Sequence, residues 1–331
     1  MQNFSKPTLS QDVTQGLLET GARIVVTGAS GWLGKIALEM LLDVFGVQAA
    51  SRLNAFSNEK RIISLRDGSV IASHPLREIE NLTHGRYIFL HFAFPGREKT
   101  VNTSLGRYVE CVNGINTLMN RSMRRVETCG IVLSSSGAVY GGSCRRAPDL
   151  DRDPYGAMKL QDEKYYSNLA ETLQVPLTIA RIFNMSGPYI NKCHSYALSS
   201  MLLDVLNGRP LEIRAAHSVI RSYMHAADIV EMALRAHLDR REPLSDPFDT
   251  VGESEIEIEE LAYLIVDVLG CRGHPIVRPS RSSQVVDRYV GDPVLMRRLL
   301  AKYGMTVIPL RRQIEDTAQY LRNTIECRTL Q

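Results

Sequence analysis

The chain has 331 residues, 44% of them hydrophobic and 23% charged, and a formal net charge of +3. That is chain enough for one large α/β domain or for two lobes sharing a cleft, with the composition of an ordinary globular protein. The charge is too small and too scattered for a nucleic-acid or membrane-surface binder. Six cysteines without a C-x-x-C pair argue against a disulfide framework or zinc site and for a reducing cytosol. The opening residues lack the apolar core of a signal peptide, and no apolar run is long enough to span a bilayer, so a cytoplasmic protein without membrane contact is expected.

Residues 1–21 read as a polar extension with a short helix around Val13–Thr20. Arg23–Thr27 (RIVVT) is a short β-branched run ending at Gly28, a buried strand feeding a turn. From Leu33 apolar residues recur at helical spacing up to Gly46. Val47–Ala50 reads as a second strand, Tyr87–Phe92 as a third, Ile131–Ser134 as a fourth and Leu177–Phe183 as a fifth. Helices over Ile115–Met123 and Tyr155–Leu173 precede the last two. This alternation predicts an α/β fold, a Rossmann-type doubly wound parallel sheet. Beyond Gly187-Pro188 helices are expected over Ser195–Asn207, Asp228–Leu238, Ile258–Leu269, Pro293–Tyr303 and Leu310–Cys327, with a short strand at Leu211–Ile213. Residues 22–187 are read as a dinucleotide-binding lobe, and 188–331 as mainly a smaller substrate lobe, parts of which return to the first sheet.

Residues 27–34 read Thr-Gly-Ala-Ser-Gly-Trp-Leu-Gly between that strand and helix. Gly28 permits the sharp turn, Gly31 lets backbone approach a pyrophosphate, and Gly34 lets helix and sheet pack closely. The pyrophosphate then rests on the helix N-terminus. Ser30, Trp32 and Leu33 complete this cofactor-binding turn. At the end of the expected second strand stand Ser51 and Arg52, where an acidic residue would select NAD. A guanidinium there can pair with a 2′-phosphate, so NADP is preferred over NAD.

Residues 155–159 read Tyr-Gly-Ala-Met-Lys at the start of a helix. Positions i and i+4 share a face, which brings the Lys159 ammonium near the Tyr155 phenol. A free phenol ionises near pH 10; lowering that by about three units takes about 4 kcal/mol of preferential phenolate stabilisation. A partly desolvated lysine and an oxidised nicotinamide can supply it, which makes Tyr155 a general acid/base. The fourth strand ends in Ser134-Ser135-Ser136, beyond which ligands sit in an open α/β sheet. Ser136 is the preferred hydroxyl for the reacting oxygen and Ser135 the alternative. His91, His194, His217 and His225 show no metal-ligand spacing, and no metal is expected.

Over residues 22–305 these features resemble the extended short-chain dehydrogenase/reductase family, in its nucleotide-sugar epimerase/dehydratase branch. The motifs are TGASGWLG (27–34), HFAF (91–94), SSSGAVYG (134–141), YGAMK (155–159), RIFNMSGP (181–188) and RSYMHAAD (221–228). The resemblance implies that Ser136, Tyr155 and Lys159 form the catalytic triad, and that Lys159, Ala93 and Phe183 contact the dinucleotide. It places Asn184 and Arg221 at the substrate diphosphate or sugar. Arg281, one position off in register, is a second phosphate arginine, with Asp292 following it as the family's acidic residue does. The helices over 104–123 and 155–173 correspond to those that pair in homodimeric relatives. The 4,6-dehydratase members carry Thr-Asp-Glu where this chain has Ser136-Gly137-Ala138, so dehydration is not expected. The segment between Gly141 and Tyr155 is also shorter than usual. The leading expectation is an NADP-dependent keto-sugar reductase acting on a nucleotide-activated sugar. The alternatives are an epimerase with tightly bound cofactor, a reductase of a non-nucleotide carbonyl, and a catalytically silent dinucleotide sensor.

Overall fold

A computed structural model describes residues 6–141, 146–280 and 285–329, with side chains as far as 324 at the carboxyl end. In chain order α1 (Gln11–Glu19) precedes β1 (Arg23–Thr27) and α2 (Trp32–Phe45), and a short 3-10 turn leads to α3 (Ala49–Arg52). Strands β2 (Leu53–Ser57), β3 (Arg61–Ser64), β4 (Val70–Pro75) and β5 (Arg86–His91) follow. Then come α4 (Arg97–Asn102), α5 (Leu105–Arg125), β6 (Glu127–Ser136), α6 (Pro154–Leu173) and β7 (Leu177–Ile182). The remainder comprises β8 (Asn184–Ser186), α7 (Ala197–Leu206), β9 (Leu211–Glu212), β10 (Ser218–His225), α8 (Ala226–Leu238) and β11 (Phe248–Asp249). Last are β12 (Glu255–Glu257), α9 (Ile258–Val268), β13 (Ile276–Val277), β14 (Val286–Tyr289), α10 (Pro293–Tyr303) and α11 (Leu310–Thr329).

Two compact units result. One comprises residues 6–182 with 229–248, the other residues 183–228 with 249–331. The first holds an eight-stranded sheet in the order β11-β7-β6-β5-β1-β2-β4-β3. Strands β7, β6, β5, β1, β2 and β4 run parallel, and β3 is antiparallel to β4 at the edge. Order reverses at β1, which has β2 on one side and β5 on the other. The crevice at their carboxyl ends is therefore the topological switch point where open α/β sheets bind ligands. The central strands are buried on both faces, as apolar runs covered by helices must be. In the second unit β10 pairs with β8, β12 and β14, while α7, α9 and α11 pack against one another.

Local signals account for several element boundaries. Asp153 caps α6, its carboxylate accepting from the Gly156 N–H at 3.2 Å, and Pro154 opens the helix. Asp292 caps α10 ahead of Pro293 in the same way. Glu257 and Glu260 form a capping box on α9.

The expected second strand is wrong. Residues 47–50 lie in the 3-10 turn and α3, with Val47 fully exposed, and the strand beside β1 is β2 at Leu53–Ser57. A four-residue apolar run does not separate helix from strand by periodicity. Arg52 therefore precedes β2 instead of following it. Its guanidinium donates to the Ala22 carbonyl at 2.9 Å and lies over the Phe45 ring at 4.6 Å. Ser51 is exposed and donates to the Gln48 carbonyl. Both sit at the amino ends of β1 and β2, roughly 16 Å of strand from the glycine turn. They cannot read a 2′-phosphate bound at the carboxyl end, and neither residue selects NADP over NAD. Arg52→Ala is expected to cost about 1–2 kcal/mol in urea denaturation while dinucleotide affinity stays unchanged.

Candidate active site

The glycine turn occupies the switch point. Gly28 has φ +66°, and a β-carbon there would come within 2.7–2.8 Å of the Phe92 and Ala93 backbone. The turn after β1 thus lies directly against the chain leaving β5. At Gly34 a β-carbon would meet the Gly28 carbonyl oxygen at 2.3 Å, so α2 and the turn approach as closely as backbone allows. Gly31 differs: its β-carbon would face the Gly28 oxygen at 3.0 Å and otherwise open space. It is the N-cap of the fourteen-residue α2 and offers no capping side chain. Amides, helix dipole and open room converge there, a cradle that fits a dinucleotide pyrophosphate. Trp32 and Leu33 are buried beside it, and Ser30 is partly exposed.

Ser136, Tyr155 and Lys159 belong to the same unit and the same end of the sheet. Ser136 ends β6, and its hydroxyl oxygen accepts from the Ala138 N–H at 3.2 Å. That leaves its proton available for another acceptor. The Ser135 hydroxyl instead donates to Glu163, and that of Ser134 to the His91 carbonyl. Lys159 is 3% exposed; its ammonium donates to the Ser134 carbonyl at 2.7 Å and lies 3.7 Å from the centre of the Phe94 ring. Tyr155 packs edge-on against the same Phe94 ring at 5.8 Å, with the Arg97 guanidinium 5.2 Å from its own ring centre. Arg97 also pairs loosely with Asp153 at 3.4 Å.

Burial pushes the Lys159 ammonium down to about 8, against the opposing pull of Asp162 and then Glu163. Behind it His91 is held neutral, pushed down to about 3 by burial and by Lys159. The His91 ring bonds the Thr27 hydroxyl at 2.7 Å and the Tyr166 hydroxyl at 3.0 Å. Thr27 in turn accepts from the Ala93 N–H, so this buried network ties the two loops of the switch point to α6. Ala93 is partly exposed at that junction.

Phe183, Asn184 and Arg221 lie in the second unit. The Phe183 ring packs on Tyr289 at 4.8 Å. The Asn184 amide donates to the carbonyls of Ser222 and Tyr289, joining β8 to β10 and β14. Arg221 forms an ion pair with Asp287 at 2.7 Å and donates to two backbone carbonyls. Arg281 lies outside the described residues.

Residues 24–246 match the NAD dependent epimerase/dehydratase family. The chain belongs to that family. Among curated relatives, UDP-glucuronic acid decarboxylase 1 of Danio rerio is 23% identical over 92% of this chain and 73% of its own length. A dTDP-4-dehydro-6-deoxy-D-allose reductase from a Streptomyces species is 25% identical over 91% of this chain and 97% of its own. Similar solved structures include a UDP-glucuronic acid 4-epimerase from Bacillus cereus, with a TM-score of 0.68 at 16% identity over 91% of this chain and 99% of that one. The epimerase Mth375 from Methanothermobacter thermautotrophicus has a TM-score of 0.71 at 19% identity over 96% and 97% of the two chains. These structural likenesses establish the Rossmann-type fold. The relatives span epimerases, decarboxylases and a reductase, so the NAD-dependent family is common ground and the reaction is not.

Several residues at the site of this family member were missed by sequence reasoning. Phe94 stood inside the HFAF motif, and Asp162 three residues beyond Lys159 on a helix; helical spacing could have flagged the second. Lys35 and Arg61 are a further case. Burial, and then the Arg61 charge, lower the Lys35 ammonium; Lys35 stands near the start of α2, and Arg61 opens β3 just beyond β2, where it pairs with Glu59 at 3.6 Å. They went unseen because β2 was misplaced. For the turn itself, Gly34→Ala is expected to cost at least about 2 kcal/mol in thermal or urea unfolding. Gly31→Ala should cost well under half of that, and equal losses at both positions would show the cradle to be wrongly drawn.

Proposed function

We propose that this protein is a keto-sugar reductase that transfers a hydride between a nicotinamide dinucleotide and a ring carbon of a nucleotide-activated sugar. The observation that carries the reading is the buried Lys159 ammonium, one helical turn from the Tyr155 phenol and at the same sheet end as the glycine cradle. Gly28, Ser30, Gly31, Trp32, Leu33, Gly34, Ala93 and Lys159 are the residues that would hold the dinucleotide. When bound, its nicotinamide gives up the hydride. The protein's part is proton transfer and orientation. Ser136 donates a hydrogen bond to the sugar carbonyl oxygen, and Tyr155 delivers the proton that turns that oxygen into a hydroxyl. Lys159 stabilises the phenolate left behind, which a free tyrosine could not sustain near neutral pH. Gly137 and Ala138 supply neither acid nor base next to Ser136, which supports excluding dehydration.

The Streptomyces relative, a reductase of a dTDP-linked keto sugar, supports reduction over epimerisation. Lys35 near the start of α2 and Arg61 just past β2 support NADP, because cations at those positions suit a 2′-phosphate and not a bare ribose. Arg221 and Asn184 are the candidates for the substrate diphosphate. In this reading Arg221 exchanges Asp287 for phosphate when substrate binds.

The reaction is tested by mixing the enzyme with NADPH and keto sugars carrying UDP or dTDP. One NADPH lost per sugar reduced is expected. Interconversion of two sugars with no net NADPH loss, by enzyme purified with dinucleotide attached, would replace this reading with an epimerase. Tyr155→Phe is expected to lower kcat by at least about 100-fold while dinucleotide still quenches Trp32, the single tryptophan of the chain. Lys35→Ala with Arg61→Ala should reduce the preference for NADPH over NADH at least about tenfold. The pH dependence has a definite sign. Folding lowers Lys159 from 10.5 to about 8, so its charge is present below that value and lost above it. Reduction should therefore hold steady up to about pH 8 and fall beyond it.

A further inference from the structure

A lysine as deeply buried as Lys159 needs a carboxylate close by if it is to stay charged. Two acidic residues follow it on the same face of α6, Asp162 at i+3 and Glu163 at i+4, and both are buried. Glu163 is already committed. The Arg181 guanidinium grips it with two bonds, at 2.9 and 2.7 Å, and the Ser135 hydroxyl donates to it as well. Arg181 spends a further N–H on the Tyr140 hydroxyl at 2.8 Å. That pair is closed and neutral.

Asp162 is different. It is 1% exposed, and among the described residues neither of its oxygens has a hydrogen-bond partner of normal geometry. The groups that face this cluster come from four elements besides α6. Strand β5 presents neutral His91, β6 the Ser134 carbonyl and the Ser135 hydroxyl, β7 Arg181, and α5 the Asn116 amide. From α6 itself come Lys159, Glu163, and Tyr166, whose phenol burial and Asp162 keep protonated. Two positive charges, Lys159 and Arg181, thus stand against two negative ones, Asp162 and Glu163. Without Asp162 the interior would hold a net positive charge, and the ammonium would be the group to give up its proton.

We propose that Asp162 is the buried counterion of Lys159, a positioning residue that touches neither substrate nor cofactor and keeps the ammonium charged at working pH. Burial, with a smaller push from Glu163, raises the Asp162 carboxyl above its ordinary value against the opposing pull of Lys159 and then Asn116, so its charge depends on those two neighbours. Asn116 links the site further, because its side-chain oxygen accepts from Tyr166, which bonds His91. The assignment rests on the spacing of the two residues on α6, on their shared burial and on the balance of buried charge; its consequence for turnover rests on the roles given above to Tyr155 and Lys159.

The test uses protein without added ligand, labelled with carbon-13 at lysine Cε and aspartate Cγ, and titrated by NMR. The Lys159 signal is the one missing from Lys159→Met. In the wild type it should titrate near 8, and in Asp162→Asn at least about one pH unit lower. An unchanged midpoint in Asp162→Asn overturns the proposal. So does an Asp162 Cγ signal at the protonated position at pH 7 in the wild-type protein, a measurement that needs no variant to fold. With the expected NMR result, Asp162→Asn should also lower the alkaline limit of NADPH oxidation by a matching amount. The NMR result together with no turnover of any nucleotide sugar would sustain the counterion role and remove only the functional reading.

Discussion

Burial of one ammonium organises the candidate active site. A charge taken out of water must be compensated within a few ångströms, and Lys159 meets that demand from every side. A carbonyl at the end of β6 accepts from it, an aromatic face lies over it, and two carboxylates share its helix face. Each partner fixes something else in turn. The carbonyl places Lys159 beside the serine that ends β6. The Phe94 ring that covers the ammonium also braces Tyr155, so the phenol ring and the ammonium share one wall. Glu163 holds Arg181 on β7. Much of what surrounds Ser136 and Tyr155 follows from keeping that charge in place.

A second constraint acts through backbone alone. Gly28 and Gly34 exist as glycines because a single β-carbon at either would strike main chain. Their absence of side chain lets the turn after β1, the start of α2 and the chain leaving β5 converge at the switch point. The Thr27–His91–Tyr166 network carries this convergence to α6, so the cradle and the helix that bears Tyr155 and Lys159 are joined through one buried network. The hydroxyl of Thr27 and the glycine after it are adjacent in sequence and serve the two halves of the site.

Cofactor choice depends on which end of β2 a cation occupies. A cation beyond the second strand is sound physics for recognising a 2′-phosphate. Arg52, however, precedes β2 and spends its guanidinium on backbone carbonyls at the opposite end of the sheet. With the strand located, Lys35 near the start of α2 and Arg61 at the start of β3 are the cations proposed above for that role. The substrate diphosphate raises a related point, since Arg221 has the expected chemistry but stands already paired with Asp287.

Sequence by itself determined the βαβ order, the glycine turn, the Tyr155–Lys159 spacing and the family. These depend on short-range rules: β-branched runs between turns, glycines where backbone must bend or close up, and i to i+4 neighbours on a helix. Asp292 and Asp153 as helix caps belong to the same class, fixed by residues a few positions away. Tertiary structure alone decided the rest. The short run at 47–50 had no periodicity to separate helix from strand, so its fate was set by which segment could pair beside β1. Among Ser134, Ser135 and Ser136 only the partners of each hydroxyl, from strands and helices distant in the chain, showed which remained available. Asp162 reads as an ordinary helical surface acid until the sheet closes over it, because burial and charge balance are properties of the folded interior and of no local stretch of residues.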